Sequence, residues 1–199
     1  MEMYSRNDQD KDVWTYSTQG ATYKVQTTYK LLMGHQPVQP AIKWLWKSYC
    51  QPKHRVFFWL LMKDRLSTKN ILKRRKMQLD SFNCAFCTSA QEETTLHLFW
   101  GCPYAQHYWG TIGLQIVEDG DTVQNIQALR TQLRSQFFMI AIILMSWTIW
   151  KARNEAIFNN RLLSTQECKT VFSMELEKVS CRIKTSLSLL FDQWCQNLH

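Results

Sequence analysis

The distribution of hydrophobic and polar residues predicts two long helices at the C-terminal end of the chain. Between residues 165 and 197, apolar side chains recur every three or four positions and form one stripe, made up of Phe172, Leu176, Val179, Ile183, Leu187, Leu190 and Trp194. Ser164 and Glu167 precede this stripe in the order of a capping box. Residues 123–159 contain the most apolar run of the sequence and predict a partner helix, whose polar first part suits a separate turn. We therefore expect a C-terminal hairpin of long helices.

The first half of the chain has shorter segments of helical period. Residues 26–33, 41–49 and 53–65 are each predicted as helical, the last with its apolar side chains on one face, and Ser67 is positioned to cap a further short basic helix. Alternating aromatic and β-branched residues around 17–20 predict an N-terminal β-hairpin. The fold class we predict is mainly α. The predicted divisions of the chain are a leader of residues 1–11, a domain of residues 12–112, a loop of residues 113–122 and the helical hairpin of residues 123–199.

Composition limits the class of protein. Of the 199 residues, 45% are hydrophobic and 20% are charged, which supports a hydrophobic core and excludes a disordered chain. The apolar run from Phe137 to Trp150 is 14 residues long, too short to span a bilayer. The N-terminus lacks the apolar stretch of a signal peptide, and the odd number of cysteines, seven, favours a reducing compartment. We expect an intracellular protein that is not secreted and not bound to a membrane.

The net charge of +8 comes from one segment. Residues 41–80 carry eleven basic and two acidic side chains, a net charge of +9. Such a segment favours a polyanionic partner, although a solvated helical face explains the same charges. The run 73–76 also has the composition of a nuclear import signal, which predicts the nucleus, with the cytoplasm as the alternative. The predicted contacts to nucleic acid are Lys43, Lys47, Lys53, Arg55, Lys69, Lys73, Arg74, Arg75 and Lys76.

A cluster of cysteines and histidine has the spacing of a metal site. Cys84 and Cys87 form a C-x2-C motif, nine residues separate Cys87 from His97, and four residues separate His97 from Cys102. Two intervening residues close a tight loop that presents both thiolates to one ion. Three thiolates and one imidazole complete a tetrahedral zinc site with no open position, which predicts one structural zinc ion. The alternative is three buried cysteines beside a surface histidine, and His107 is a reserve ligand one helical turn further along.

The spacing from His97 to Cys102 needs a break in the helix. Five positions on a continuous α-helix would separate the two side chains by about 140° around the axis. We expect Gly101 to end the first helix and Pro103 to start the next one, so that Cys102 lies on the turn between them.

Ordered motifs surround the cysteines. They are Gly20-x-x-Tyr23-x-Val25-x-x-x-Tyr29, Trp44-x-Trp46-Lys47, Pro52-Lys53-x-Arg55-x-Phe57-x-Trp59-Leu60, Asp64-Arg65-Leu66-x-Thr68, the C-x2-C motif, Glu93, His97-Leu98-Phe99 and Cys102-Pro103-Tyr104-Ala105 with Trp109. Over residues 12–109 this order resembles the zinc-binding domain that follows the reverse transcriptase in plant non-LTR (LINE-type) retroelements. Trp147-x-x-Trp150-Lys151-x-Arg153-Asn154 resembles the segment that joins this domain to a ribonuclease H domain.

The resemblance implies that Cys84, Cys87, His97 and Cys102 are the zinc ligands and that element RNA or target DNA is the partner. The chain differs from the reverse transcriptase and ribonuclease H domains of such polyproteins. It has no Asp-Asp pair, with which a polymerase holds its metal ions. Its late carboxylates lie on predicted helices rather than on the strands from which a ribonuclease H holds two metal ions. We therefore expect no catalytic residues and no enzyme, in a chain that is either free-standing or a fragment of a polyprotein.

Two functions compete at this point. In the first, the basic segment contacts phosphates of RNA or DNA, and an exposed aromatic residue among Trp44, Trp46, Trp59 and Phe82 stacks on unpaired bases. In the second, zinc stabilises a protein-interaction or oligomerisation module, with a homodimer or another protein bound by the C-terminal helices. A continuous helix over residues 165–197 would be about 50 Å long, longer than a compact domain of this size.

Overall fold

A computed structural model of the protein describes residues 25–34, 39–117 and 120–198. Within these residues the secondary structure is helical apart from one isolated antiparallel bridge, so the mainly α prediction is confirmed. The predicted β-hairpin around 17–20 and the leader 1–11 lie outside the described residues. The α-helices are α1 Val25–Met33, α2 Pro40–Lys47, α3 Pro52–Met62, α4 Lys69–Arg74, α5 Pro103–Gly110, α6 Thr122–Leu133, α7 Phe138–Phe158, α8 Thr165–Ser180 and α9 Ser188–Gln196. A π-helical turn His97–Gly101 and a 3₁₀ turn Thr185–Leu187 complete the set.

The contacts divide the chain between residues 39 and 40. Helix α1 belongs to the first unit, and Pro40–His199 forms the second. The division predicted at the loop of residues 113–122 stays a prediction. Within the second unit, α7 packs against α3 and α5 as well as against α6 and α8.

Helix α7 is the centre of the second unit. Every side chain from Phe138 to Ser146 is buried, as expected for a helix that is apolar on all sides. In the part of the chain that the structure describes, no helix combines the length and the apolar composition needed to cross a membrane. Helix α5, which begins directly after Cys102, packs against α7.

The predicted helix over residues 123–159 is interrupted. A capping box starts α6, in which the Gln124 amide donates to Asp121 Oδ1 at 2.7 Å and the Asp121 amide donates to Gln124 Oε1 at 2.8 Å. The helix ends at Leu133, and its C-cap residue, Arg134, has a φ of 41° in the left-handed region. The Phe137 amide donates to Ser135 Oγ at 3.1 Å just before α7 begins. The polar first part of the segment therefore forms a helix of its own.

The predicted helix over residues 165–197 is also broken, so the second helix of the predicted hairpin is shorter than expected, although α8 packs against α7 as predicted. Its capping box is confirmed, because the Glu167 amide donates to Ser164 Oγ at 3.2 Å. Helix α8 ends at Ser180, and α9 turns so that the rings of Phe191 and Phe137 lie 5.1 Å apart. The break buries Phe191 and leaves Leu190, a member of the predicted stripe, 52% exposed. Burial of this aromatic side chain opposes the cost of the helical hydrogen bonds that the break removes.

Candidate metal centre

The C-x2-C motif lies in a tight loop between two paired backbone segments. Two backbone hydrogen bonds of 2.8 and 3.0 Å close the base of the loop on either side of the antiparallel bridge between Asn83 and Glu92. Residues 82–93 thus form a minimal hairpin, which we call the cysteine hairpin. Inside it, the Phe86 amide donates to Cys84 Sγ at 3.4 Å. A backbone donor aimed at the sulfur favours the thiolate form that binds metal.

His97 and Cys102 meet through a π-helical turn that the sequence pattern did not predict. The Cys102 amide donates to His97 O at 2.6 Å, a bond across five positions. Because the π-turn is wider than an α-turn, it returns the two residues to the same side. The His97 amide is anchored on Thr94 Oγ1 at 3.0 Å. The prediction that Pro103 starts the next helix is confirmed, with Cys102 as its N-cap residue.

The four predicted ligands come together. Their ligand atoms all lie within 4.8 Å of one another. Cys84 Sγ and Cys102 Sγ are 3.9 Å apart, and Cys87 Sγ and His97 Nε2 are 3.3 Å apart. A tetrahedral ion with zinc–sulfur bonds of about 2.3 Å would separate two thiolates by about 3.8 Å. The donor set and its spacing therefore fit a zinc ion held by three sulfurs and one imidazole nitrogen.

The Cys84 and Cys102 thiols influence each other's ionisation. The hydrogen bond from Cys102 lowers the pKa of the Cys84 thiol, while the same bond and burial raise the pKa of Cys102. A divalent cation bound between them would ionise both thiols, because a coordinating thiol is deprotonated outright.

The remaining cysteines and the reserve histidine lie outside the cluster. His107 Nε2 lies 2.8 Å from Thr165 Oγ1, which removes it as a ligand. All seven cysteines are free of disulfide bonds. Cys50 and Cys168 are buried in the core, and burial raises the pKa of Cys50 to about 12. Cys50 and Cys168 are therefore packing residues.

Gly101 is the last residue of the π-turn, but the turn does not need the backbone freedom of glycine there. It does not have the positive φ that Gly34 and Gly113 show. A Cβ placed on it would lie 3.8 Å from His97 Nδ1 and 3.9 Å from Leu96 O, which is ordinary contact. The turn is therefore set by the bond from Cys102 to His97 and not by the conformational freedom of glycine.

We expect Gly101→Ala to bind zinc as well as the wild type. Alanine favours helical backbone by about 1 kcal/mol over glycine, and the position has room for its methyl group. The melting temperature of the zinc-loaded variant should be equal to that of the wild type or slightly higher. Elemental analysis and thermal unfolding measure both effects, and a variant that loses its zinc would contradict the geometry described above.

Residues 23–109 match the family described as zinc-binding in reverse transcriptase. All four clustered residues lie inside this match, which confirms the predicted resemblance as far as a zinc-binding domain of reverse transcriptases over residues 23–109. No curated protein and no solved structure matches the chain. The match and the cluster together support a zinc-binding module of the reverse-transcriptase type.

A buried ion pair joins the matched region to the central helix. Arg153 on α7 donates to Glu93 Oε1 from Nη2 at 2.8 Å and from Nε at 3.2 Å. The two side chains are only 5% and 0% exposed. The same carboxylate oxygen accepts from the amide of Lys69, the first residue of α4, at 3.0 Å. Glu93 therefore caps the basic helix α4, and the predicted capping by Ser67 is wrong, since Thr68 is the N-cap residue.

The residues predicted to contact nucleic acid all reach solvent. Those on α4 are partly neutralised by acidic neighbours, because Lys73 Nζ lies 2.9 Å from Glu92 Oε1 and Arg74 Nη1 lies 3.0 Å from Asp64 Oδ2. The exposed side chains are Lys43, Lys47, Lys53, Lys73, Arg74, Arg75 and Lys76, and the half-buried ones are Arg55 and Lys69.

The four aromatic candidates for stacking differ in exposure. Trp44, Trp59 and Phe82 are half-buried, and the ring of Trp44 packs edge-on against Phe138 with centroids 5.4 Å apart. Trp46 is 45% exposed. Core packing therefore accounts for Trp44, and Trp46 is the candidate with the most accessible ring.

Proposed function

We propose that the chain is a non-catalytic, zinc-binding and nucleic-acid-binding module of retroelement origin. It binds RNA or DNA with low sequence selectivity, mainly through phosphates that contact residues 41–80. The match to the reverse-transcriptase zinc-binding family supports this origin, and the motif order supports a relation to plant non-LTR elements. The set of four converging ligands supports a structural role for one zinc ion, because a catalytic zinc keeps an open position.

The observation that carries the proposal is the exposure of the basic segment. Residues 41–80 are described throughout, and of their eleven basic side chains nine are exposed and two are half-buried. A net charge of +9 displayed in this way attracts polyanions and produces salt-dependent binding.

The metal centre and the basic helix α4 are joined by direct contacts. Lys69 Nζ donates to Asn83 O at 2.8 Å, and Lys73 is paired with Glu92, so both side chains contact the cysteine hairpin. Glu93, at the end of that hairpin, caps α4. Since zinc would fix the hairpin, it would also fix the direction in which α4 displays its charges. Nucleic-acid binding should therefore depend on zinc.

The proposed compartment is the nucleus. The run 73–76 is exposed in full, as a sequence read by an import receptor must be. A nucleic-acid-binding module of retroelement origin would act there.

Neutralising the basic run of residues 73–76 should weaken nucleic-acid binding equally for all sequences. For the wild type we expect a log–log salt dependence that reflects about four to seven phosphate contacts. Replacing Lys73, Arg74, Arg75 and Lys76 by glutamine should reduce the slope by about two to three units, because two of the four are partly neutralised by ion pairs. Fluorescence anisotropy at several salt concentrations measures the slope.

A matched pair of double variants provides the control. Arg75→Gln/Lys76→Gln and Arg134→Gln/Lys184→Gln each remove two exposed positive charges. Each pair also contains one residue of left-handed backbone, Lys76 with φ of 61° and Arg134 with φ of 41°. Only the first double variant should reduce the slope. Equal slopes for both would remove Arg75 and Lys76, which directly follow α4, from the binding surface.

A module for self-association is the second candidate, and exposed apolar residues on α9 favour it. Leu189 is 77% exposed and Leu190 is 52% exposed. If this surface pairs two chains, Leu189→Glu or Leu190→Glu should convert a dimer to a monomer in analytical ultracentrifugation. Met174→Glu on α8, which replaces a side chain that is also 52% exposed, is the control and should leave the dimer intact. A wild-type protein that is monomeric at high concentration would eliminate this candidate.

A further inference from the structure

Helix α2 presents a small face that combines two lysines with a tryptophan. Ala41 and Leu45 are buried on one side of the helix, whereas Lys43, Trp46 and Lys47 are exposed on the other. Residues three and four positions apart on a helix are neighbours on its surface. Lys43 therefore lies beside both Trp46 and Lys47, so the indole has a cation next to it along the helix.

The exposure of Trp46 is unusual within this protein. Among the tryptophans that the structure describes, it has the most accessible side chain at 45%, whereas Trp100 and Trp109 are 2% and 0% exposed. Tryptophan is highly buried on average, since its large apolar surface stabilises a core. At position 46 this surface is left in contact with water.

A cation on helix α3 contacts the ring of Trp46 directly. Arg55 Nη1 donates to the backbone oxygen of Trp46 at 3.2 Å, and its guanidinium carbon lies 5.8 Å from the centre of the indole ring. The hydrogen bond holds the arginine beside the tryptophan, where it adds a cation–π contact. A flat exposed ring with cations around it has the composition of the platforms that bind single-stranded nucleic acid.

We propose that Trp46 stacks on an unpaired base of single-stranded RNA or DNA, with Lys43, Lys47 and Arg55 contacting the adjoining phosphates. The inference rests on the proposed function and deepens it by naming a base-contacting residue and a class of substrate. Stacking on a ring face requires a base that is free of its own stack, so Trp46 selects single strands over duplexes. The phosphate contacts of α4 serve both forms.

The test compares Trp46→Ala with Trp46→Phe on a labelled 16-nucleotide single strand and on a duplex of the same sequence. Loss of one stacked base should weaken single-strand binding by about 5- to 150-fold and leave duplex binding unchanged. Phenylalanine should retain most of the affinity. Phe158→Ala, which removes an aromatic side chain that is 75% exposed on α7, is the control and should bind both probes like the wild type. Zinc content and melting temperature verify that each variant is folded.

A second variant pair tests the lysines. Lys43→Gln/Lys47→Gln should reduce the salt slope for the single strand by about 1.4 units, at about 0.7 per phosphate contact, and Arg134→Gln/Lys184→Gln should not change it. Single-strand binding by Trp46→Ala at wild-type strength would overturn the inference, as would an equal loss on both probes. A wild-type protein that binds neither probe would overturn the proposed function as well, so the two failures are distinguishable.

Discussion

Removing zinc with a chelator should unfold the cysteine hairpin and the π-turn and should abolish the cooperative melting transition of the protein. Binding of a structural zinc ion contributes on the order of 10–16 kcal/mol in small peptides, which exceeds the total stability of a typical domain. In this protein, unfolding of the hairpin would also release Glu93 from α4 and from Arg153. The loss should therefore spread from the metal centre to α4 and α7. Circular dichroism and thermal unfolding before and after chelation measure it, and zinc should restore the fold.

Two buried cysteines give a matched control for this expectation. Cys102 and Cys168 are 0% and 1% exposed, and only Cys102 belongs to the cluster. Cys102→Ser should reduce the zinc content and unfold the protein, whereas Cys168→Ser should keep one zinc ion per chain. Elemental analysis of the folded wild type showing well under one zinc ion per chain would refute the assignment.

Replacing Arg153 by alanine should reduce the free energy of unfolding by about 3–5 kcal/mol. The substitution leaves the Glu93 carboxylate buried, charged and without its cation, and a buried charge without a partner is costly. It also removes an anchor of the residue that caps α4, so nucleic-acid binding should weaken with stability. Denaturant titration of the zinc-loaded protein measures the effect.

An exposed arginine serves as the comparison. Arg161 is paired with Glu167 at the surface, where its side chain is 55% exposed. Arg161→Ala should lower the free energy of unfolding far less than Arg153→Ala does, because water screens the exposed pair. The double variant Arg153→Met/Glu93→Gln should recover part of the loss, since it removes the uncompensated charge. Equal effects of Arg153→Ala and Arg161→Ala would show that the buried pair does not stabilise the fold.

The sequence identified the cysteine and histidine cluster because its members are close together in the chain. Cys84, Cys87, His97 and Cys102 fall within one short segment, so local turns decide whether they meet. Coordination chemistry restricts which residue types and spacings can form such a site. The helical segments were predictable for a similar reason, because a period of three to four residues depends only on the local chain. The excess of positive charge in residues 41–80 could be found by counting basic and acidic residues along the sequence.

The boundaries of the late helices were not predictable from the period alone. The stripe from Phe172 to Trp194 fits one continuous helix, and nothing in its spacing marks the end of α8 at Ser180. The break depends on a long-range contact between Phe191 and Phe137. A local pattern cannot show whether a distant surface exists for α9 to cover.

Tertiary structure alone decided how the site is supported. Glu93 and Arg153 are separated by 60 positions and appeared in the sequence as members of two unrelated motifs. Their pairing, and the capping of α4 that follows from it, exist because α7 passes beside the cysteine hairpin. In the same way, the fold pairs Lys73 and Arg74 with acidic side chains, and leaves Trp46 at the surface while it buries Trp109. The types and spacing of residues specified which ion this protein can hold, whereas the packing of distant helices decided which charges and rings remain free to bind a partner.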